Sequence, residues 1–420
     1  MAVLQDEIPW ETLYGHSGLM TNKPIYLFVT PFFPTPESWR GGYCYDAARA
    51  LVRTGKFDVR VMTAGPGDDY EYGGMKVFRF KRLSAPCGLT PFLFSWRNKA
   101  YFKKKIAEMG VDWREVAVCH VHTMEYAIYG EGCKRISPST LTLLQHHCCA
   151  PVTLRTGRLG IIPGHATILY WFCRRLCWNV DAHVFISKMS QDTFGKFFPR
   201  VPEEPWIDIR RSLWLGRFLP PIRYKHALLL YNGVDGSVFN EEGRGSHAGF
   251  VIGCVANFQP LKDHMTLLKA FARVVKKVPD ATLRLIGSGE CLAECQKYAA
   301  ENCPAGSVRF ETEVDHTKLP SFYRSIDLFV LPSRLEGFCC VCMEALYCGT
   351  PFISCDTTAV GENLSGEDRK KWLIAPMDDA SLAEKIIHYY QNPTVLRLNR
   401  DLSIDSLIQD FVKQLEGVPR

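Results

Sequence analysis

The sequence lacks the features of a membrane-spanning or secreted protein. Its longest uncharged apolar run, residues 159–173, falls short of the roughly 20 residues that a spanning helix needs. The first 11 residues include three acidic side chains, where a secretory leader has a basic region followed by an apolar one. We therefore expect no transmembrane segment and a cytoplasmic protein, associated at most with the inner face of the cytoplasmic membrane.

The chain also lacks a disulfide framework, an internal repeat and a low-complexity tract. Its 17 cysteines are odd in number and scattered, which favours a reduced compartment over a set of structural disulfides. Apolar residues make up 47% of the chain and charged residues 22%, as in ordinary globular proteins. These values exclude a fibrous or intrinsically disordered protein.

Positive charge is unevenly distributed. The net charge of the whole chain is +6, but residues 1–232 contain 30 basic and 19 acidic side chains (30 − 19 = +11), and the remainder has 20 and 25 (20 − 25 = −5). A basic half suits an anionic partner, either a membrane surface or a nucleic acid. An ordinary solvated face explains the excess equally well, and we expect no nucleic-acid binding.

Residues 194–226 combine aromatic and basic side chains. Seven basic and three acidic residues accompany Phe197, Phe198, Trp206, Trp214 and Phe218. Such a mixture suits a membrane interface, where a lipid-linked acceptor would be presented. The alternative is a packed insertion, and the helix predicted over 167–178 is open to the same two interpretations.

Short apolar runs alternate with helix-like segments along the whole chain, which is typical of parallel α/β sheets. Strands are predicted at 25–30, 59–63, 116–121, 140–145, 182–187, 250–256, 282–286, 326–332 and 351–355. The pattern restarts after a Gly-, Asn- and Ser-rich stretch at 231–249. We predict two doubly wound, Rossmann-like domains, 1–235 and 236–420, with the last helix able to pack back on the first domain and a ligand cleft between them.

The most informative stretch is residues 331–356. Glu336 and Glu344 are eight residues apart, and a helix is predicted over Glu336–Tyr347. Two turns of helix would let both carboxylates bind hydroxyl groups of one elongated ligand. Gly337 allows close approach of the backbone, and the free N–H groups at the start of a helix suit a phosphate.

Together these residues resemble the Glu-x7-Glu motif of the retaining GT-B glycosyltransferases of family 4. YNGVD at 231–235 and the segment 257–271 resemble that family's linker and donor-phosphate loop, so the resemblance covers residues 25 to about 390. It implies a GT-B fold and transfer of a sugar from a nucleotide-diphospho sugar to a glycan or lipid-linked acceptor, with retention, in polysaccharide or glycolipid biosynthesis.

The resemblance also implies roles for individual residues. Glu336 would bind the sugar hydroxyls, Glu344 the ribose, and Lys262 would neutralise the leaving diphosphate without a metal ion, in keeping with the absence of a D-x-D motif. The diphosphate would be held by the backbone amides of Phe338, Cys339, Cys340 and Val341. No metal or other cofactor is expected.

Two positions depart from the family pattern. Asn257 stands where many members have an arginine, and Cys339 stands where they often have a glycine. These departures keep open a catalytically inactive nucleotide-sugar or glycan-binding protein on the same scaffold. Cys339 and Cys342 also form a C-x-x-C sequence, for which a redox or metal site is a further alternative.

The first half contains further candidates. Gly41 and Gly42 follow the first strand, where a backbone without side chains can approach phosphate or acceptor, although a plain turn would explain them too. By resemblance, His122 is the active-site histidine near the donor sugar. We expect the imidazoles of His120 and His122 to lie on opposite sides of their strand. The His146–His147 pair and Ser187 are weaker candidates at the ends of the next strands.

Overall fold

The protein folds into two units, each built on one mainly parallel sheet. The computed structural model describes residues 23–419, except 37, 86–89, 148–152, 156–164, 195–205, 209–221, 246 and 313. The first unit contains the described residues up to Tyr231 and also residues 404–419, and the second contains Asn232–Ser403. The change of unit at 231/232 lies four residues before the boundary predicted from the sequence.

Strands and helices alternate through both units. The described strands are β1 Ile25–Val29, β2 Asp58–Ala64, β3 Tyr70–Tyr72, β4 Met75–Phe80, β5 Val116–His122, β6 Leu141–His146, β7 Thr153–Arg155, β8 Ala182–Phe185, β9 Trp206–Asp208, β10 His226–Leu229, β11 Val251–Val255, β12 Thr282–Ile286, β13 Val308–Glu311, β14 Leu328–Leu331, β15 Phe352–Cys355 and β16 Leu373–Ile374. The described helices are α1 Gly42–Arg53, α2 Thr90–Leu93, α3 Ser95–Glu108, α4 Ala127–Ile136, α5 His165–Asn179, α6 Lys188–Thr193, α7 His264–Val274, α8 Leu292–Asn302, α9 Leu319–Arg324, α10 Cys340–Tyr347, α11 Gly366–Trp372, α12 Asp379–Gln391 and α13 Ile404–Glu416. None of these helices is both long enough and apolar enough to cross a membrane.

The sheet of the first unit has the order β10-β8-β6-β5-β1-β2-β4-β3, and only β3 pairs antiparallel. All residues of β1, β5 and β6 are buried, as expected for parallel strands that are covered by helices on both faces. Helix α13 belongs to one of the two covering layers. Its apolar side chains are part of the same hydrophobic core as side chains of β1 and α1, namely Ile404, Ile408, Phe411, Val412 and Leu415.

The sheet of the second unit has the order β13-β12-β11-β14-β15-β16, with every neighbouring pair parallel. The strand order therefore reverses between β11 and β14, and in the first unit it reverses between β1 and β5. In open α/β sheets, ligands bind beyond the carboxyl ends of the strands at such reversals.

The predicted helix over Glu336–Tyr347 was wrong at its start. Helix α10 begins at Cys340, because Cys339 adopts a left-handed conformation with φ 74° and breaks the helical path. Glu336 lies instead in an extended segment that pairs with Thr358. The two glutamates therefore do not share a helix, and the two-turn argument for their spacing does not apply.

Candidate functional site

The second unit brings two of the predicted site residues into contact. Lys262 follows β11 and Glu336 follows β14, so they flank the point where the strand order reverses. The Lys262 Nζ atom donates a hydrogen bond to Glu336 Oε1. Both side chains are mostly buried, with 26% and 16% of their surfaces exposed. Burial lowers the pKa of Lys262, but the charge and hydrogen bond of Glu336, together with Cys339 and Cys254, raise it by more, so the pKa lies above 10.5 and the amine is charged at neutral pH.

Local backbone geometry positions Lys262. It ends a single 3₁₀ turn, Pro260–Lys262, directly before the N-cap of α7. The cap residue, Asp263, has φ 51°, and its carboxylate accepts hydrogen bonds from Thr266 and, at 3.1 Å, from Arg334 Nε. The Arg334–Asp263 pair therefore links the segment after β14 to the start of α7. Arg334 was not among the predicted residues.

Glu344 lies on α10 with different partners. Its Oε2 atom accepts a 2.8 Å hydrogen bond from the Tyr323 hydroxyl, and its Oε1 atom is 3.7 Å from His316 Nε2. The side chain is 13% exposed, so an acceptor for a ligand hydroxyl is held in a defined orientation. Its assignment to ribose binding stays a prediction.

The loop before α10 contains the predicted phosphate-binding amides. Phe338 and Cys339 are buried, and the first residues of α10 are Cys340 and Val341, whose N–H groups precede the first intrahelical bonds. The sulfur atoms of Cys339 and Cys342 are 2.9 Å apart. Within the described ranges, no third metal-ligating side chain joins this pair, which gives the metal interpretation of the C-x-x-C sequence no support.

Two glycines, Gly287 and Gly289, lie directly after β12 and were not among the predicted site residues. A Cβ atom on Gly287 would lie 2.1 Å from the carbonyl oxygen of Ala256, and one on Gly289 would lie 2.4 Å from that of Phe258. The turn after β12 therefore packs directly against the chain that carries the exposed Asn257. The Gly287-Ser288-Gly289 sequence directly after a predicted strand is the signal from which this close packing could have been predicted.

In the first unit, Gly41 and Gly42 have a packing role. Gly41 has φ 89°, and a Cβ there would lie 2.5 Å from the backbone of Phe32. A Cβ on Gly42 would lie 2.1 Å from the Trp39 ring. The pair therefore lets the start of α1 lie close to the loop that contains Phe32 and Trp39. Contact of these glycines with a donor stays a prediction.

His122 ends β5 inside a buried polar cluster. Its Nδ1 atom is 2.9 Å from His147 Nε2 and 3.6 Å from Cys44 Sγ. Burial lowers the pKa of His122 well below 6.5, and neighbouring histidines lower it further, so the ring is neutral at neutral pH. Cys44 had no predicted role, and His147 was a weaker candidate.

His120 and His122 lie on the same face of β5, with ring centroids 4.5 Å apart. The expectation that they face opposite sides was wrong, since side chains two residues apart in a strand point the same way. His120 instead accepts or donates a 2.7 Å hydrogen bond with the Tyr26 hydroxyl.

The other strand-end candidates have structural partners. The His146 ring is 2.9 Å from His183 Nδ1 in a buried pair, away from the contact that His147 makes with His122. The Ser187 side chain accepts a hydrogen bond from Ser190 N and caps α6. Among these candidates only His147 joins His122.

The aromatic and basic segment 194–226 lies largely outside the described residues. This holds for the side chains of Phe197, Phe198, Trp206, Trp214 and Phe218. The predicted helix over 167–178 is present as α5, where Trp171 is 47% and Trp178 is 54% exposed.

Solved structures share the architecture of this chain. Sucrose-phosphate synthase from Thermosynechococcus elongatus superimposes with a TM-score of 0.62 at 18% identity, covering 94% of this chain and 95% of that one. HepE of Anabaena in complex with UDP and glucose gives a TM-score of 0.63 at 14% identity, covering 94% and 100%. These likenesses confirm the predicted GT-B fold of two Rossmann-like units.

A family model and curated relatives match part of the chain. Residues 241–404 match the family model described as glycosyl transferases group 1. A D-inositol 3-phosphate glycosyltransferase of Catenulispora acidiphila is 36% identical over 125 residues, 27% of this chain and 29% of that protein. The GDP-mannose-dependent alpha-(1-6)-phosphatidylinositol monomannoside mannosyltransferase of Mycolicibacterium smegmatis is 29% identical over 188 residues, 43% of this chain and 46% of that protein. The chain thus spans less than half the length of these curated relatives.

Proposed function

We propose that the protein is a retaining glycosyltransferase that moves a sugar from a nucleotide-diphospho sugar to a glycan or lipid-linked acceptor. One observation carries the proposal. The buried Lys262–Glu336 pair lies at the strand reversal of the second unit, inside the segment that matches the group 1 glycosyltransferase model. The Lys262 ammonium group suits a diphosphate, and the adjacent Glu336 carboxylate can accept hydrogen bonds from the hydroxyl groups of an attached sugar.

In the proposed reaction, the acceptor oxygen attacks the anomeric carbon from the same face that the leaving diphosphate departs from. The bond between the anomeric carbon and the diphosphate oxygen breaks as the acceptor oxygen bonds to that carbon, and the departing phosphate takes the acceptor proton. Lys262 stabilises the negative charge that develops on the diphosphate, a role that metal ions have in other transferases. Glu336 and His122 orient the sugar, and Glu344 binds the ribose. We propose that no metal ion takes part.

The donor and acceptor depend on loop side chains that these contacts do not specify. One relative is named for GDP-mannose and others for D-inositol 3-phosphate. Donor screens should therefore include GDP-mannose with UDP- and ADP-sugars, and acceptor screens should include an inositol phosphate. A role in polysaccharide or glycolipid biosynthesis is part of this proposal.

A second candidate is an inactive nucleotide-sugar or glycan-binding protein, favoured by Asn257 and the cysteine at position 339. Incubation with each donor in the absence of acceptor separates the two. Slow release of nucleoside diphosphate is expected from a transferase, because water replaces the acceptor. Tight donor binding without any release, with or without acceptors, would favour the binder.

We further propose a cytoplasmic protein that contacts anionic membranes through its basic first half. Helix α5 supports this, because Arg174 lies over the ring of the half-exposed Trp171, with 5.1 Å between guanidinium and ring centroid. Co-sedimentation with phosphatidylserine vesicles should be strong at low salt and decrease as salt rises. No binding at low salt would refute the membrane contact and leave the transferase proposal intact.

A further inference from the structure

Three side chains with metal-binding atoms converge in the first unit. The Sγ atom of Cys44, the Nδ1 atom of His122 and the Nε2 atom of His147 all lie within 4.8 Å of one another. Within the part of the chain that the structure describes, this is the only such group of three metal-ligating residues. The proposed transfer reaction uses His122 but gives no role to Cys44 or to His147.

Three different elements position the three residues. Cys44 lies in the first turn of α1, His122 is the last residue of β5, and His147 directly follows β6. Strands β1, β5 and β6 are neighbours in the sheet, so their carboxyl ends meet at the point of strand reversal. Ligands built on such elements need only small shifts when a metal ion binds.

One spacing in this group matches that of a tetrahedral ion, and a second is slightly short of it. Zinc lies about 2.3 Å from a cysteine sulfur and about 2.0–2.1 Å from a histidine nitrogen, which places ligand atoms roughly 3.3–3.6 Å apart. The 3.6 Å between Cys44 Sγ and His122 Nδ1 meets this value. The 2.9 Å between His122 and His147 is a hydrogen bond, and it lengthens slightly when an ion replaces the shared proton.

We propose that Cys44, His122 and His147 bind one Zn²⁺-class ion, and that this ion inhibits the enzyme. One thiolate and two imidazoles suit zinc, and three protein ligands leave a fourth position for water. Binding breaks the Cys44 S–H bond, forms a metal–sulfur bond and releases the proton to solvent. His147 is partly exposed, whereas Cys44 and His122 are buried. The inhibitory part rests on the proposed function, because an ion bound to His122 holds this side chain away from the sugar-orienting role proposed for it.

Cobalt(II) provides a test that needs no turnover. The chelator-treated full chain should bind one equivalent of Co²⁺ with the near-ultraviolet thiolate band and intense visible bands of a four-coordinate site. Cys44→Ser should lose the thiolate band, and His147→Ala should weaken binding more than about tenfold, the least that even outer-shell partners contribute. Cys303→Ser, a partly exposed cysteine of the second unit, is the matched control and should behave as wild type. Circular dichroism of each variant checks folding.

Two results would overturn the site: no thiolate band in the wild type, or a band that persists in Cys44→Ser. The inhibitory role is tested by adding Zn²⁺ during donor turnover. Wild-type turnover should fall and recover with chelator, whereas Cys44→Ser should keep most of its own zinc-free rate. Full turnover with the site occupied would overturn the inhibition. A protein that binds Co²⁺ as described but turns over no donor would refute the proposed function alone.

Discussion

At the scale of single residues, the main claim concerns the charge on Lys262. Its ammonium group is buried beside one carboxylate, so its position is fixed before a donor arrives. Such preorganised charges contribute most where negative charge develops in the transition state.

We expect Lys262→Ala to lower kcat for the donor about 100- to 1000-fold, the usual loss when one preorganised group is removed from a transition state. Steady-state kinetics with the identified donor measure this change. Lys269→Ala removes an exposed lysine from the same stretch and should leave kcat unchanged. Equal rates for Lys262→Ala and wild type would remove Lys262 from the mechanism.

A second residue-scale prediction concerns Cys339, whose φ of 74° is unfavourable for any residue with a Cβ atom. Cys339→Gly should raise the free energy of unfolding by at most about 1 kcal/mol, because relief of strain is offset by the freedom of glycine in the unfolded chain. Cys339→Val should lower it by about 1–2 kcal/mol, since a β-branched side chain fits this conformation worst. Urea unfolding compares the two, and a valine variant as stable as the glycine variant would contradict the backbone conformation.

At the scale of elements, helix α7 starts with a buried histidine that responds to pH. The His264 ring stacks on Phe258 with centroids 4.0 Å apart. Burial, and after it the charge of Lys262, lower its pKa, Asp263 and a backbone hydrogen bond to Ala256 oppose them, and the resulting pKa is about 4. In the unfolded chain the His264 ring has a pKa near 6.5. Between about pH 6.5 and pH 4 it therefore binds a proton in the unfolded chain but not in the folded chain.

The contribution of His264 to stability is therefore complete above about pH 6.5 and decreases as the pH falls to about 4, by roughly 3 kcal/mol in all. His264→Phe keeps an aromatic ring on Phe258 and removes the proton uptake, so its unfolding free energy should fall less steeply across this range. Urea unfolding at several pH values measures the difference. Parallel pH profiles for variant and wild type would contradict the prediction.

Elements were predictable from sequence to the extent that local patterns determine them. Strands β1, β5 and β11 are apolar runs flanked by turn residues, and the apolar pattern predicted each of them. The start of α10 was misplaced, because the backbone conformation of Cys339 leaves no mark in apolar periodicity. The group formed by Cys44 and His147 with His122 was missed because its members are distant in sequence and only the strand order brings them together.

At the scale of the whole molecule, the end of the chain completes the first unit. Helix α13 packs against α1 and β10, and the Gln414 amide both donates to and accepts from the backbone of Leu229 on the edge strand β10. From the sequence, packing of the last helix on the first domain was one of two alternatives, because an amphipathic helix does not show which unit it covers.

Phe411→Ala should lower the free energy of unfolding of the first unit by about 3–5 kcal/mol, because Phe411 is fully buried and a cavity would remain. Amide hydrogen exchange should be faster in β1 and β5 than in wild type and unchanged in β11 and β12. The exposed Lys413→Ala on the same helix should change stability by less than about 0.5 kcal/mol. Faster exchange confined to the second unit would contradict the assignment of α13.

The most direct test of the central claim is a thermal-shift screen of wild type and Lys262→Ala against UDP-, GDP- and ADP-sugars and their diphosphates. A ligand at about 100 times its Kd adds about 2.7 kcal/mol of stability, which is an easily measured rise in Tm. We predict that one nucleotide series stabilises the wild type and that Lys262→Ala loses most of this shift. A folded wild type that responds to none of these ligands would contradict the assignment of a nucleotide-sugar site to Lys262 and Glu336.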